Sequence, residues 1–304
     1  MSATKIPVIL DTDIGNDIDD TWALAMMLKC PELDVKLVVS DTHDTVYRAK
    51  LVARLLEVAG RTDIPVGVGI SQKTDGGPQA AWVEGYDLHS YPGKVFDDGV
   101  QAIIDTIMHS TEVVTLLCIG PVPNIAAALK REPRIAARAR FVGMHGSIRR
   151  GYGDGQPPAA EYNVVLDAAS CRQAFEAPWR ERVITPLDTC DRVKLDGARY
   201  QRVLASADPL TKAIFENYRA WAVHYKGVDP SSYSTILFDT VAVHLVFSTQ
   251  FLTMERMGVK VTDAGMTIPD PAGPQLEVAI DWTDLSGFHD YLVERLLAPV
   301  CAAG

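Results

Sequence analysis

Pro7-Val8-Ile9-Leu10 runs without a break into Asp11-Thr12-Asp13-Ile14-Gly15-Asn16-Asp17-Ile18-Asp19-Asp20, and then into Thr21-Trp22-Ala23-Leu24. A short continuous apolar run is the pattern of a strand buried on both faces, as in a parallel sheet. Residues 20–29 carry a helical pattern, so the whole stretch predicts strand, loop, helix, the first half of a βαβ unit. Five carboxylates fall within the ten residues 11–20. A charge run is ordinarily a solvated face. This one sits at the C-terminal end of a buried strand, where α/β folds place ligands, and Gly15 permits a sharp turn there. Clustered carboxylates in that position point to a hard divalent cation such as Ca²⁺ or Mg²⁺.

Working outward, residues 35–39, 64–68, 113–119 and 140–144 repeat the buried-strand pattern. Helical stretches at 45–59, 97–109 and 123–130 separate them. The expected fold is an α/β domain spanning 1–304, with an open, mostly parallel central sheet, helices on both faces, and the site at the C-terminal strand ends. Residues 71–95 and 147–162 are rich in Gly, Pro and aromatics and read as ligand-side loops, the second as a cover over the site. The C-terminal third reads as helical at 210–225 and 236–248, with one strand at 257–262.

Composition narrows the function. Hydrophobic residues make up 47% of 304, enough for a large core, which excludes disorder. The formal net charge of -10 disfavours nucleic acid, since its backbone needs clustered Lys and Arg, but leaves an uncharged nucleoside open. Cys30, Cys118, Cys171, Cys190 and Cys301 are scattered and odd in number, which argues against disulfides and zinc and for a reducing, cytoplasmic setting. No membrane partner is expected, because no apolar run reaches the ~18 residues a span needs.

An EF-hand beginning at Asp11 fails, because its sixth and twelfth positions hold Asn16 and Trp22 rather than Gly and Glu. A Mg²⁺-dependent phosphohydrolase with Asp11 as nucleophile stays open as an alternative. So does a nucleoside- or sugar-binding protein without turnover. Four further observations favour a third reading. Asp11, Asp13, Gly15 and then Asp19-Asp20 at a helix start resemble the N-terminal motif of the inosine-uridine nucleoside hydrolase family. Gly120-Pro121-Val122-Pro123-Asn124, Ala160-Glu161-Tyr162-Asn163 with Asp167, and Leu237-Phe238-Asp239 resemble its later motifs, in the same order. The spacer Asn16–Ile18 is two residues longer than the usual form, which leaves Asp17 and Asp19 as alternatives for one position.

The resemblance implies calcium-dependent hydrolysis of a ribonucleoside's N-glycosidic bond, giving ribose and free base, by a homodimer or homotetramer of nucleoside-hydrolase-like fold. It assigns Ca²⁺ to Asp13, Asp20, Asp239 and the carbonyl of Pro123, with Asp13 as the base that activates an attacking water at the ion. It assigns the sugar hydroxyls to Asp19, Asn163, Glu161 and Asp239. Asp44 is a further sugar-binding candidate, competing with a role as a helix N-cap. Purine-cleaving members often carry a His before the late Asp to protonate the departing base. Phe238 stands there instead, and with Tyr162 would line or stack on the base. That leaves His89 and His224 as leaving-group donors, with Trp82 and Trp221 either flanking the base or packed in the core.

Overall fold

In the computed structural model, residues 5–302 are described. Ten strands form a single sheet: β1 (Ile6–Thr12), β2 (Leu33–Ser40), β3 (Val66–Val68), β4 (Val95–Phe96), β5 (Val114–Cys118), β6 (Ala139–Met144), β7 (Arg182–Thr185), β8 (Leu252–Val261), β9 (Thr267–Pro269) and β10 (Gln275–Trp282). Their order across the sheet is β4-β3-β2-β1-β5-β6-β7-β10-β8-β9. Every pair from β4 to β10 is parallel, while β8 and β9 close the far edge in antiparallel fashion. The chain winds outward from β1 to β4, then returns to the other side of β1 as β5. This puts the reversal of strand order, the place where open α/β sheets bind ligands, at the C-terminal ends of β1 and β5.

The helices are α1 (Asp19–Leu28), α2 (Thr45–Val58), α3 (Gly99–His109), α4 (Pro123–Arg131), α5 (Tyr162–Leu166), α6 (Ala168–Glu176), α7 (Leu187–Cys190), α8 (Gly197–Leu204), α9 (Pro209–Ala222), α10 (Asp239–Leu245) and α11 (Leu285–Leu297). Strand alternation sorts the core into two layers. Val8 and Leu10 of β1 join Trp22 of α1 and Leu51 of α2 on one face, while Ile9 joins Ile103 of α3 and Ile125 of α4 on the other. Helix α1 is buried along its whole length, between the sheet and α9, α10 and α11, so it has no polar face to show. No helix among the described residues is long and apolar enough to cross a membrane.

The predicted parallel half is observed, with boundaries moved by a few residues. The C-terminal third holds more sheet than its sequence signals. Residues 252–282 form β8, β9 and β10, and the predicted strand at 257–262 falls within and just beyond β8. These strands mix charged with apolar residues because they approach an edge and need only one buried side. The 71–95 loop contains two short 3-10 turns and leads into β4.

Candidate active site

The acidic loop leaves the sheet at the strand-order reversal. Gly15 adopts a φ of +107°, and a Cβ there would meet Tyr47 and Leu51 at 2.8 Å, so only glycine makes this turn. Asp19 and Asp20 form the first turn of α1, where carboxylates favour the helix dipole. Thr12 Oγ1 donates to Asp20 Oδ1 at 2.5 Å and accepts from the Ile14 amide at 3.1 Å, fastening the loop to the helix. Helix α10 packs on α1 and begins with Asp239. One oxygen each of Asp19, Asp20 and Asp239 lies within 4.8 Å of the others, and all three residues are buried. Burial, then repulsion among neighbouring carboxylates, holds all three well above the ordinary carboxylate range. Three buried, mutually repelling oxygen donors fit a hard divalent cation, whose charge would relieve the cost of grouping them.

Asp13 lies beside this cluster, and its charge is among the causes that raise Asp20. Burial raises Asp13 as well, opposed chiefly by Arg48. Arg48 is itself buried in α2, with Nη1 3.5 Å from Asp13 Oδ2. The same nitrogen donates to Asp41 O at 2.5 Å and to Thr42 Oγ1 at 2.9 Å. It thereby braces a turn in which Thr42 and His43 both have positive φ, 54° and 49°. Asp41 is fully buried there and neither of its carboxylate oxygens has a hydrogen-bond partner.

The Gly120–Asn124 loop closes in from β5. A Cβ on Gly120 would stand 2.8 Å from the Asp13 Cβ, so a side chain there would displace Asp13. Asn124 donates to Asp11 Oδ1 at 2.8 Å and Ser40 O at 3.1 Å, and accepts from the Ile70 amide at 2.9 Å. Pro123 is buried at the start of α4.

A cavity of about 240 Å³ opens above the cluster, lined by Asp13, Asp17, Asp19, Asp20, Asp239, Glu161, Asn163, Asn16, Tyr152, Tyr162, Phe238, Ile119 and Met144. Glu161 caps α5, accepting from the amides of Asn163 at 2.7 Å, Gly146 at 2.9 Å and Val164 at 3.2 Å. Burial outweighs those bonds and pushes its carboxyl up to about 7. Asn163 Nδ2 donates to Ile119 O at 3.2 Å and Met144 O at 3.1 Å, spanning the ends of β5 and β6. Tyr162 accepts from Asn16 Nδ2 at 3.1 Å, and the Tyr152 hydroxyl accepts from the Tyr162 amide at 2.9 Å. Tyr152 meets Phe238 edge-on, with centroids 6.3 Å apart.

The structure thus gathers Asp13, Asp19, Asp20, Glu161, Tyr162, Asn163, Phe238 and Asp239 around one cavity. Pro123, Asp44, His89 and His224 do not line it. Asp44 is the N-cap of α2, accepting from the amides of Tyr47 and Gly76 at 3.0 Å each. His89 and His224 are exposed. Trp82 and Trp221 are buried, and Trp221 Nε1 supports the acidic loop by donating to Asn16 O at 2.9 Å. Four contributors, Arg48, Asp41, Asn16 and Tyr152, escape the sequence reading. The locations of Asn16, in the acidic loop, and Tyr152, in the glycine-rich loop, are the only ones signalled beforehand.

The family model described as inosine-uridine preferring nucleoside hydrolase matches residues 8–290. The non-specific ribonucleoside hydrolase RihC of Klebsiella pneumoniae is 30% identical over 319 residues, covering 97% of this chain and 100% of that one. The pyrimidine-specific ribonucleoside hydrolase RihA of an Enterobacter species is 29% identical, covering 96% and 97%. Among solved structures, the plant nucleoside hydrolase PpNRh1 shares the fold with a TM-score of 0.80 at 24% identity, covering 97% of this chain and 100% of its own. A purine-preferring ribonucleoside hydrolase from Gardnerella vaginalis does so at 0.75 and 21%, covering 96% and 98%. Together with a carboxylate cluster at the strand-order reversal, the match over nearly the whole chain places this protein in the inosine-uridine preferring nucleoside hydrolase family.

Proposed function

We propose that this protein hydrolyses the N-glycosidic bond of a ribonucleoside, releasing ribose and free base, with Asp13 as general base and Ca²⁺ at the carboxylate cluster. The observation that carries this is the convergence of Asp13, Asp239, Glu161 and Asn163, from three separate segments, on the cavity above the buried cluster. Asp13, Asp20 and Asp239 would hold the ion, with Asp19 beside them and the Pro123 carbonyl as a further oxygen; an all-oxygen donor set suits calcium. When bound, the ion supplies positive charge that offsets the carboxylates and acidifies water at the site.

The side chains divide the remaining work. Asp13, raised by burial and steadied by Arg48, accepts a proton from the attacking water. Asp19 and Asn163 hold the 2′- and 3′-hydroxyls, Asp239 assists, and Glu161 takes the 5′-hydroxyl. Positive charge developing at C1′ as the base departs is stabilised by the surrounding carboxylates. Phe238, Tyr152 and Tyr162 form the apolar wall against the base. The phosphohydrolase alternative is disfavoured, because Asp11, its nucleophile, is fully buried, held by Asn124, and does not face the cavity.

The direct test is chromatographic detection of free base from uridine, inosine and cytidine in the presence of Ca²⁺, with Asp13→Ala protein as control. Base release by the wild type alone supports the assignment. Ribose analogues that bind with no release from any substrate would replace it with a binding function.

A further inference from the structure

The walls of the cavity bear on which base departs, and this inference rests on the hydrolase function proposed above. When a neutral base leaves C1′ it takes the bonding pair as an anion, so it needs a proton from a nearby acid. None of the seven histidines lines the cavity. No Lys or Arg lines it either, and Arg48 sits buried behind Asp13.

Beyond the positions proposed for the ion and the sugar, the lining is carboxyl and aromatic. Asp17, from the lengthened part of the loop, is a carboxylate beyond those needed for an ion and a sugar. It is held firmly: its carboxylate accepts from the Ile18 amide at 2.7 Å, and its carbonyl accepts from Nε2 of the fully buried Gln79 at 2.8 Å. Tyr162 is oriented by Asn16, and Tyr152 and Phe238 complete the wall. A fixed carboxylate with ring faces, in a partly desolvated cleft free of cationic side chains, is an environment that selects a cation.

We propose that the preferred substrates are ribosides whose base already carries positive charge on its ring system, as pyridinium or N7-alkylpurinium ribosides do. The bond C1′–N breaks and its electron pair returns to the cationic ring, leaving a neutral base. The bond from water oxygen to C1′ forms, and one water proton passes to Asp13 and on to solvent. The products are ribose, neutral base and one proton, and no acid has to reach the base.

The test uses the full-length protein with Ca²⁺. Base release from nicotinamide riboside and 7-methylguanosine is compared with release from guanosine and uridine, and Asp13→Ala protein subtracts the spontaneous reaction. The expected result is a kcat/KM for the cationic ribosides at least about ten-fold above the neutral ones, the size of one partly screened charge interaction. In Asp17→Asn protein the ratio of cationic to neutral kcat/KM should fall by about ten-fold, chiefly through KM. Efficient release from neutral nucleosides without a cationic preference would overturn this inference while leaving the hydrolase function standing. A larger loss on neutral than on cationic substrates in Asp17→Asn would make Asp17 the proton donor to a neutral base and also overturn it. No release from any of the four would overturn both.

Discussion

Replacing Arg48 by Met removes the cation that braces the acidic site while nearly preserving volume. The guanidinium is buried, its Nη1 lies 3.5 Å from Asp13 Oδ2, and it donates to Asp41 O and Thr42 Oγ1. At that separation, with an effective dielectric of about 20, the attraction to Asp13 is about 5 kcal/mol. The two other acceptors lose bonds worth about 1 kcal/mol each. Against this stands the relief of desolvating a guanidinium, so the net cost should match that of breaking a buried ion pair, about 3–5 kcal/mol. Urea unfolding in chelator would measure it, with an unchanged m-value showing that the denatured state is not altered. Arg48→Lys keeps the charge but not the shared geometry of the fork, and should cost less, about 1–2 kcal/mol. Added Ca²⁺ should recover part of the loss in both variants, because it supplies charge to the same carboxylates. A loss under about 1 kcal/mol in the Met variant, or equal losses for Met and Lys, would refute the electrostatic account.

Chelation should abolish base release, and Ca²⁺ should restore it. The accompanying fall in Tm should be larger at about pH 8 than at about pH 6. Burial holds Asp11 and Glu161 at about 7 against ordinary values of 3.8 and 4.5, so the unfolded chain ionises first and stability falls as pH rises from the ordinary values to about 7, where the cost is complete. An equal fall in Tm at both values would refute this. His145 is buried against Gly120 O at 3.0 Å, and burial lowers it to about 4 from an ordinary 6.5. Its contribution is therefore full above the ordinary value and drains as pH falls toward 4, by up to about 3 kcal/mol. His145→Gln should flatten that acid limb in a pH series of urea midpoints, and an unchanged limb would exclude the residue. Asn124→Ala strips partners from Asp11, Ser40 and Ile70 together and should cost about 2–3 kcal/mol in the same assay.

Much of the site was legible because its pieces are local. Asp13, Asp19 and Asp20 sit in one loop after a strand whose burial is plain from four apolar residues, and Glu161 and Asn163 share a helix start. Asp44 and Asp41 show the opposite case. Both follow β2 and both are acidic, yet one caps α2 while the other lies buried near Asp13, and the four-residue polar turn 41–44 does not distinguish them. Arg48 is hidden for a similar reason, since an arginine within a helix reads as a solvated position until the turn beneath it is known to fold back. Of the antiparallel edge only 257–262, within β8, signals a strand, because Gln275–Trp282 alternates charged and apolar residues, which suits a half-buried strand but gives no long apolar run.

The sequence alone determined the alternation of strand and helix, the parallel half of the sheet and the placing of an acidic loop at a strand end. Each of these follows from which residues avoid water at a period of 2 or 3.6. Tertiary structure decided which distant residues meet. Asp239 joins Asp19 and Asp20 only because α10 packs on α1, and Tyr152 faces Phe238 only because the 147–161 loop reaches the start of α10. Pairings of that kind cost chain entropy and are repaid by burial spread over the whole core, so no local stretch of sequence encodes them.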